Sequence, residues 1–196
     1  MRLTMKLLTT ALALSAGLAA ATANAALESR LGGQAVYDTD LNITWLANGN
    51  ANGLMDWWQA NAWASGLTVA GFSGWRLPIT DASCSGYNCT GSEMGHLFYN
   101  ELGGAAGQSI LTTHNDNFAL FQNVEANYYW SGTEYAPNTD DAWYFLFGFP
   151  GGGQGADGMD STLFALAVRP GDVAAIPEPE TYAMLLAGLG VLGFAV

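Results

Sequence analysis

Two apolar segments, one at each end of the chain, limit the part that can fold as a water-soluble domain. The first follows Arg2 and Lys6, runs from Leu7 to Ala21, and precedes Ala-Asn-Ala at positions 23–25. A short basic region, an apolar run and small residues are the pattern of a cleaved secretory signal. The run is also shorter than the ~20 residues that a membrane span needs. We therefore predict that residues 1–25 are a signal peptide and that the mature chain is exported.

The second apolar segment follows Pro177, Glu178 and Pro179 and runs from Tyr182 to Val196. As a helix rising about 1.5 Å per residue it would reach only about 22 Å, less than the ~30 Å of a hydrocarbon core. We expect this tail to make transient membrane contact. Between the ends lies one domain of ordinary size, residues 26–172, followed by a linker and tail at 173–196.

The charge of the mature chain excludes several classes of partner. Loss of Arg2 and Lys6 with the signal takes the formal net charge from −12 to −14 and leaves three arginines and no lysine. Binding to nucleic acid depends on Lys and Arg that neutralise phosphates, so nucleic acid is excluded as a partner. Polyanionic sugars and anionic lipids are disfavoured for the same reason. Neutral glycans and divalent cations remain compatible with this surface.

The apolar periodicity predicts an α+β fold. Residues at three- and four-residue spacing predict a helix over 54–67, and Ser92 is expected to cap a second helix over 92–102. Residues 151–161, GGGQGADGMDS, are predicted to be a long flexible hairpin loop. Strands are predicted at 35–37, 43–46, 128–131, 142–149 and 163–168.

The two cysteines, Cys84 and Cys89, lie in the short loop CSGYNC. In an exported protein this spacing favours one local disulfide. Free thiols are the alternative. A metal site is disfavoured because no histidine or third cysteine lies near in the sequence.

Four sequence motifs stand in a fixed order: GWRLPIT (74–80), SEMGHLFYNELG (92–103), YYWSGTEYAPNTDDAWYF (128–145) and ALAVRPGD (165–172). Together they resemble the C-terminal domain family of bacterial collagen-like (Lcl-type) surface adhesins. The resemblance covers the chain from about Tyr37 to Pro170. It implies a C-type-lectin-like fold in a family long catalogued as a domain of unknown function. Relatives among the adhesins suggest sulfated glycans as ligands, but the charge of −14 argues against that ligand here.

The tail resembles a different family, the PEP-CTERM sorting signals, through Pro177, Glu178 and Pro179. Such a signal implies processing by an exosortase-type enzyme in an exopolysaccharide-producing Gram-negative bacterium. The expected location is the periplasm, the cell envelope or the extracellular matrix of a biofilm. Sorting signals of this kind end in an Arg-rich cluster, and no such cluster precedes Val196. We expect that the sequence is truncated at Val196; poor retention in the membrane is the alternative.

Aromatic residues beside polar loop residues are the candidates for a glycan site. Trp58 flanks the apolar face of the first predicted helix. Tyr135 and Trp143 bracket the loop APNTDDA, whose polar groups are suited to sugar hydroxyls. A core role is the alternative for each aromatic residue. The candidate residues are Trp58, Tyr135, Asn138, Asp140, Asp141 and Trp143.

One segment, NGNANGLMDWWQ at 48–59, has the spacing of an EF-hand calcium loop. Amides replace most of the carboxylates, so only weak calcium binding is expected, and no other cofactor. An Asn/Gly turn that caps the following helix is the favoured alternative. The candidate ligands are Asn48, Asn50, Asn52, Leu54, Asp56 and Gln59.

No catalytic pattern is present: there is no G-x-S-x-G elbow, and His96 and His114 stand alone in the sequence. Arg76 and Arg169 are expected to be structural ion-pair or carbonyl-binding residues. The sequence therefore favours an exported, non-catalytic module that binds surface or extracellular polysaccharide. The alternative is a structural matrix protein held by protein contacts without a specific glycan.

Overall fold

The computed structural model describes residues 26–173 and confirms the α+β class. The signal peptide predicted at 1–25 and the sorting residues Pro177, Glu178 and Pro179 lie outside the described residues. No helix within 26–173 has the length and apolar character to cross a membrane. The described elements are helices α1 (Trp57–Gly66) and α2 (Glu93–His96) and strands β1 (Leu27–Arg30), β2 (Ala35–Asp38), β3 (Ile43–Leu46), β4 (Tyr128–Glu134), β5 (Asp141–Leu146), β6 (Gln154–Gly158) and β7 (Val168–Pro170).

The first sheet joins the two ends of the described chain. Its strands are antiparallel in the order β1-β2-β3-β7. Trp45 of β3 lies between its register partners Val36 and Val168 and is fully buried. At the edge of the sheet, Arg30 Nε donates a 2.8 Å hydrogen bond to Asp172 Oδ1. The last strand therefore returns to the strands that begin the domain.

The second sheet, in the order β4-β5-β6, corrects the prediction of a flexible loop at 151–161. The segment contains β6, which pairs with β5 along its length. Gly155 faces Tyr144, and a Cβ at Gly155 would lie 2.6 Å from the Tyr144 hydroxyl. Glycine is needed there because the tyrosine ring occupies the space of a side chain. A glycine-rich strand has no alternating side-chain pattern, so its sequence is typical of a loop.

Two predicted strands have different bounds in the structure. The strand predicted at 142–149 ends at Leu146, one residue before the Phe147 N–H makes a last bond in the same register, to the Asn127 carbonyl. The strand predicted at 163–168 is replaced by β7, because Leu163 pairs with Met55 in an isolated bridge. A ladder requires consecutive residues to bond to the same neighbour, and residues 163–168 bond in turn to Met55, to β4 and to β3.

Helix α1 begins at Trp57 rather than at residue 54. Asp56 forms a capping box with Gln59, in which each side chain accepts a backbone N–H from the other residue. Ala60 and Ala64 face the core, and Trp57 Nε1 donates to the Ser131 carbonyl at 2.8 Å. The cap and this indole contact hold α1 against β4.

The second predicted helix is an α-helical turn followed by a π-helical turn. Ser92 precedes α2, but its hydroxyl accepts the Asp81 N–H instead of capping the helix. A π-helical turn, Leu97–Glu101, follows directly and is closed by a 2.9 Å bond from the Leu102 N–H to the Leu97 carbonyl. The helical prediction for 92–102 is confirmed, with a wider turn in its second half.

Two apolar cores fill the domain, and the neighbours of Arg76 on both sides belong to the second. Trp45, Phe98 and Tyr129 belong to the first core. Trp75, Leu77 and Trp130 belong to the second. Arg76 forms two hydrogen bonds to Glu93, of 2.8 and 2.6 Å, which confirms the structural role expected for Arg76.

The predicted disulfide between Cys84 and Cys89 is present. Its loop lies against α2 closely enough to fix the residue type there. A Cβ at Gly95 would overlap the Cys89 carbonyl oxygen.

We predict that Gly95→Ala lowers the free energy of unfolding by about 1–3 kcal/mol, the usual cost of overpacking a rigid site. The neighbour is backbone, so it cannot move aside cheaply. Chemical denaturation of the exported protein measures this. Gly66→Ala is the matched control, because a Cβ there meets nothing within 4 Å. The same loss in both variants would contradict the steric account.

Candidate functional site

An exposed indole borders a surface cavity of about 360 Å³. Trp58 is 56 % exposed, the only one of the seven tryptophans among the exposed large hydrophobic residues of 26–173. Three polar side chains complete the lining of the cavity, and we call these four residues the Trp58 surface. They are Trp58, Thr139, Asp140 and Asp160.

Backbone hydrogen bonds explain why residues so distant in sequence meet at the Trp58 surface. The Met159 N–H donates to the Asp140 carbonyl at 2.9 Å, and the Trp57 N–H donates to the Met159 carbonyl at 3.0 Å. These bonds tie the β4–β5 turn, the segment after β6 and the start of α1 together. Trp58 and Asp140, both predicted glycan residues, are thereby brought to one cavity.

Hydrogen bonds between its own backbone groups close the β4–β5 turn. The Tyr135 N–H donates to the Asp141 carbonyl and the Asn138 N–H to the Tyr135 carbonyl, at 3.0 and 2.9 Å. The Asn138 side chain accepts the Asp140 N–H at 3.3 Å. The turn therefore holds its shape while Asn138 and Asp140 stay exposed and Asp141 is half-buried.

Trp143, in contrast, belongs to the interior. It is 4 % exposed, and the half-buried Tyr135 ring packs edge-on against it with centroids 5.1 Å apart. A ring that stacks on a sugar must have one face open to solvent, and Trp143 has none. The structure therefore corrects the stacking role predicted for Trp143, which strand alternation alone could not separate from a core role.

The predicted calcium loop folds as a turn whose side chains bond within the chain. Asn48 Oδ1 accepts the Asn50 N–H, and Asn50 Oδ1 accepts the Gly53 N–H, each at 3.1 Å. Asn52 Nδ2 contacts Met55 Sδ, and Leu54 is exposed. With Asp56 and Gln59 in the capping box, this geometry is that of the helix-capping turn. Calcium binding by this loop stays a prediction.

A second aromatic cavity, of about 310 Å³, was not predicted. Tyr87 of the disulfide loop, Tyr128 of β4 and Tyr144 of β5 line it, together with Pro150 and Gln154. The Tyr128 and Tyr144 rings meet edge-to-face at 4.9 Å. Its residues come from three separate segments, so no local sequence pattern marks it.

A third feature is a buried group of metal-ligating side chains, Asp38, His96 and Glu101. One ligand atom from each lies within 4.8 Å of the others. His96 Nε2 is 3.1 Å from Glu101 Oε1. Burial, followed by the charge of Asp38, raises the pKa of Glu101. In the sequence analysis, His96 was noted only as an isolated histidine, and Asp38 and Glu101 were not named as candidate ligands.

The model of the Lcl C-terminal domain matches residues 34–169. The chain belongs to the Lcl C-terminal domain family. The resemblance noted in the sequence is thereby confirmed. A search of curated proteins found no match.

The tail matches the PEP-CTERM protein-sorting motif over residues 175–196. This confirms the second resemblance and supports an exported protein that an exosortase sorts. The match begins just after the Lcl C-terminal domain and covers Pro177, Glu178 and Pro179.

The Lcl C-terminal domain places the Trp58 surface on rigid elements. Trp58 is the second residue of the capped helix α1, and Asp140 directly precedes β5. Within 26–173, none of the three arginines ion-pairs or hydrogen-bonds with the Trp58 surface: Arg30 and Arg76 pair with other acids, and Arg169 donates to the Ser73 carbonyl. The site can therefore offer one aromatic face and acceptor groups to a ligand that donates hydrogen bonds.

We predict opposite stability effects for the two tryptophans. Trp143→Ala should lower the free energy of unfolding by about 3–5 kcal/mol, as truncation of a large core residue does. Trp58→Ala should change it by less than about 0.5 kcal/mol, the usual range at an exposed site. Urea denaturation of both variants measures this, and a larger loss in Trp58→Ala would contradict the burial described here.

Proposed function

We propose that this protein is an exported, non-catalytic module that binds neutral polysaccharide at the Trp58 surface. The observation that carries the proposal is the exposed Trp58 indole beside the carboxylates of Asp140 and Asp160 in one cavity. We further propose that the domain has a C-type-lectin-like fold. The family match and the pairing of the last strand with the first sheet support that assignment.

The chemistry of the cavity suits a pyranose. A sugar ring presents an apolar C–H face, which packs on an indole, and a rim of hydroxyl groups. Ionised carboxylates are strong acceptors for those hydroxyl donors. The Thr139 hydroxyl adds a group that both donates and accepts. An aromatic face with a few convergent polar groups is the usual composition of a small-ligand site.

Charge selects neutral sugars over sulfated ones. Asp140 and Asp160 lie at the cavity, and like charges placed opposite each other disfavour the wrong partner. The formal net charge of −14 after signal removal adds a general repulsion of polyanions. A neutral extracellular polysaccharide is therefore the ligand class that the surface favours.

Export gives the module access to such a polymer. The PEP-CTERM motif supports sorting by an exosortase-type enzyme and a location in the envelope of a Gram-negative bacterium. We propose that the tail makes transient membrane contact during sorting and that the mature domain then resides in the cell envelope or the extracellular matrix. Cell-surface exopolysaccharide would be present in the same compartment.

The proposal includes no catalytic step. Both cysteines of the chain are joined in the Cys84–Cys89 disulfide, so neither is a free thiol nucleophile. His114 is exposed and stacks on Phe118 with centroids 4.4 Å apart. Its Nδ1 lies 3.0 Å from the Asn115 carbonyl oxygen, so the contacts given for this ring are a phenylalanine and a backbone oxygen rather than a nucleophile to activate.

A structural matrix protein without a specific glycan is the second candidate. Exposed apolar side chains support it: Phe149 is 76 % exposed, and Leu54 and Ile79 are more than half exposed. Apolar groups on a surface can mark sites of protein contact. This candidate predicts self-association or protein partners in place of sugar binding.

Calorimetric titration of the full exported chain with neutral cello-, malto-, manno- and chito-oligosaccharides tests the proposal. At least one series should bind, and Trp58→Ala should weaken it by about 1–3 kcal/mol, the range measured for bases stacked on aromatic rings. Trp58→Phe should retain most of the affinity because it keeps a ring face. A sulfated oligosaccharide should bind more weakly than its neutral counterpart.

Tyr87→Ala is the matched control, since Tyr87 is an exposed aromatic residue of the other cavity. It should leave the affinity unchanged. Loss of binding in Tyr87→Ala but not in Trp58→Ala would move the site to the tyrosine cavity and overturn the assignment. Absence of binding to every neutral series would favour the structural candidate.

A further inference from the structure

The strongest concentration of ligating atoms in 26–173 lies away from the Trp58 surface, at the end of β2. We propose that Asp38, His96 and Glu101 bind one divalent transition-metal ion, with Zn²⁺ as the reference ion. Their ligand atoms converge within 4.8 Å from two distant parts of the chain. This site is separate from the calcium loop predicted at 48–59 and independent of glycan binding.

The local structure explains the convergence. Residues five apart in an α-helix lie about 140° apart around its axis, at 3.6 residues per turn. The π-helical turn Leu97–Glu101 is wider, and it brings Glu101 to the side of His96, with Nε2 and Oε1 at 3.1 Å. Asp38 is the last residue of β2 and supplies the third group. Single-turn π segments are frequent at functional sites.

The buried charge calls for a cation. Asp38 is fully buried and Glu101 is 4 % exposed. Carboxylates taken out of water are compensated by hydrogen bonds, by protonation or by a nearby positive charge, and a bound cation would supply that charge to both. Each of the three arginines in 26–173 bonds to other groups, namely Arg30 to Asp172, Arg76 to Glu93 and Arg169 to Ser73. Neutral His96 would supply a nitrogen ligand but no charge, and a divalent ion would balance both carboxylates.

The donor set identifies the class of ion. One imidazole nitrogen and two carboxylate oxygens suit Zn²⁺ and related transition metals. Calcium prefers six to eight oxygen ligands, and a buried site with a nitrogen donor does not match that preference. Nitrogen and oxygen sites also bind zinc more tightly than manganese in the usual order of affinities.

The surrounding groups hold the three ligands in place. Asp38 Oδ1 accepts the N–H groups of Asp40 and Leu41, and Oδ2 lies 3.4 Å from Trp45 Nε1. The Glu101 carbonyl accepts the side-chain amides of Asn115 and Asn117, both at 2.9 Å.

The second ring nitrogen of His96 also has a partner. His96 Nδ1 lies 3.3 Å from the Asn100 amide. A 180° rotation of that amide would present its oxygen to an Nδ1–H, the usual support for an Nε2 ligand. An ion at this point would tie the β2–β3 turn to the π-helical turn.

Zinc binding to the full exported chain is measured by calorimetry and thermal melting. One ion per chain is expected, with a melting temperature that rises with free Zn²⁺ according to mass action. His96→Gln and Glu101→Gln should weaken zinc affinity at least about tenfold, since even loss of a supporting group costs that much. His114→Gln removes the other of the two histidines and should leave the affinity unchanged.

A measurement on the wild-type chain covers the case in which a variant misfolds. The ring nitrogens of the two histidines are observed by ¹⁵N NMR while ZnCl₂ is added, and the signals are assigned with His114→Gln. The His96 Nε2 signal should shift and the His114 signals should not. Absence of zinc binding, zinc binding that His96→Gln leaves intact, or a shift confined to His114 would each overturn the proposal.

Discussion

The bidentate pair of Arg76 and Glu93 connects the parts of this domain. Arg76 bonds to both carboxylate oxygens of Glu93, and Glu93 Oε2 also accepts the Ile79 N–H at 2.7 Å. The Arg76 backbone exchanges two 2.8 Å hydrogen bonds with Val168, just where the chain enters β7. A planar guanidinium that matches a carboxylate fixes direction as well as distance. The Arg76–Ile79 segment therefore links the first sheet, through Val168, to helix α2, through Glu93.

That arrangement determines which aromatic residues stay available for binding. Trp45, Trp75, Trp130 and Trp143 are buried, whereas Trp58 faces solvent beside the β4–β5 turn. The exposure of Trp58 comes from its position on α1. Trp57 donates to the Ser131 carbonyl on the side of the helix that packs against β4, and the next residue, Trp58, lies on the solvent side. A turn held on a rigid scaffold is the common arrangement for binding sites. In the proposed function, the acidic side chains at the cavity and the negative charge of the exported chain restrict the ligands to neutral sugars.

The sequence predicted those features that depend on local periodicity or on an ordered set of motifs. The apolar face of 54–67 identified helix α1, and the loop CSGYNC indicated the Cys84–Cys89 disulfide. The four ordered motifs, including the one around Arg76, indicated the family. Features that depend on contacts between distant segments were not accessible. Strand β6 was missed by sequence analysis because the strand has no alternating side-chain pattern. Gly155, for example, leaves room for the Tyr144 ring. The burial of Trp143 depends on the neighbours that cover it, which alternation along β5 does not reveal. The meeting of Asp38 with His96 and Glu101 depends on a π-helical turn that no residue pattern marks.

The central claim is that Trp58 alone among the tryptophans of 26–173 presents a ring to a neutral sugar. Each tryptophan gives one indole N–H signal in a ¹H–¹⁵N NMR spectrum, so the seven can be observed separately while an oligosaccharide that binds is added. The account predicts a large, saturable shift of the Trp58 signal, with the buried Trp143 and Trp130 signals nearly unmoved. A ligand that binds without shifting the Trp58 signal, or that shifts Trp143 first, would contradict it.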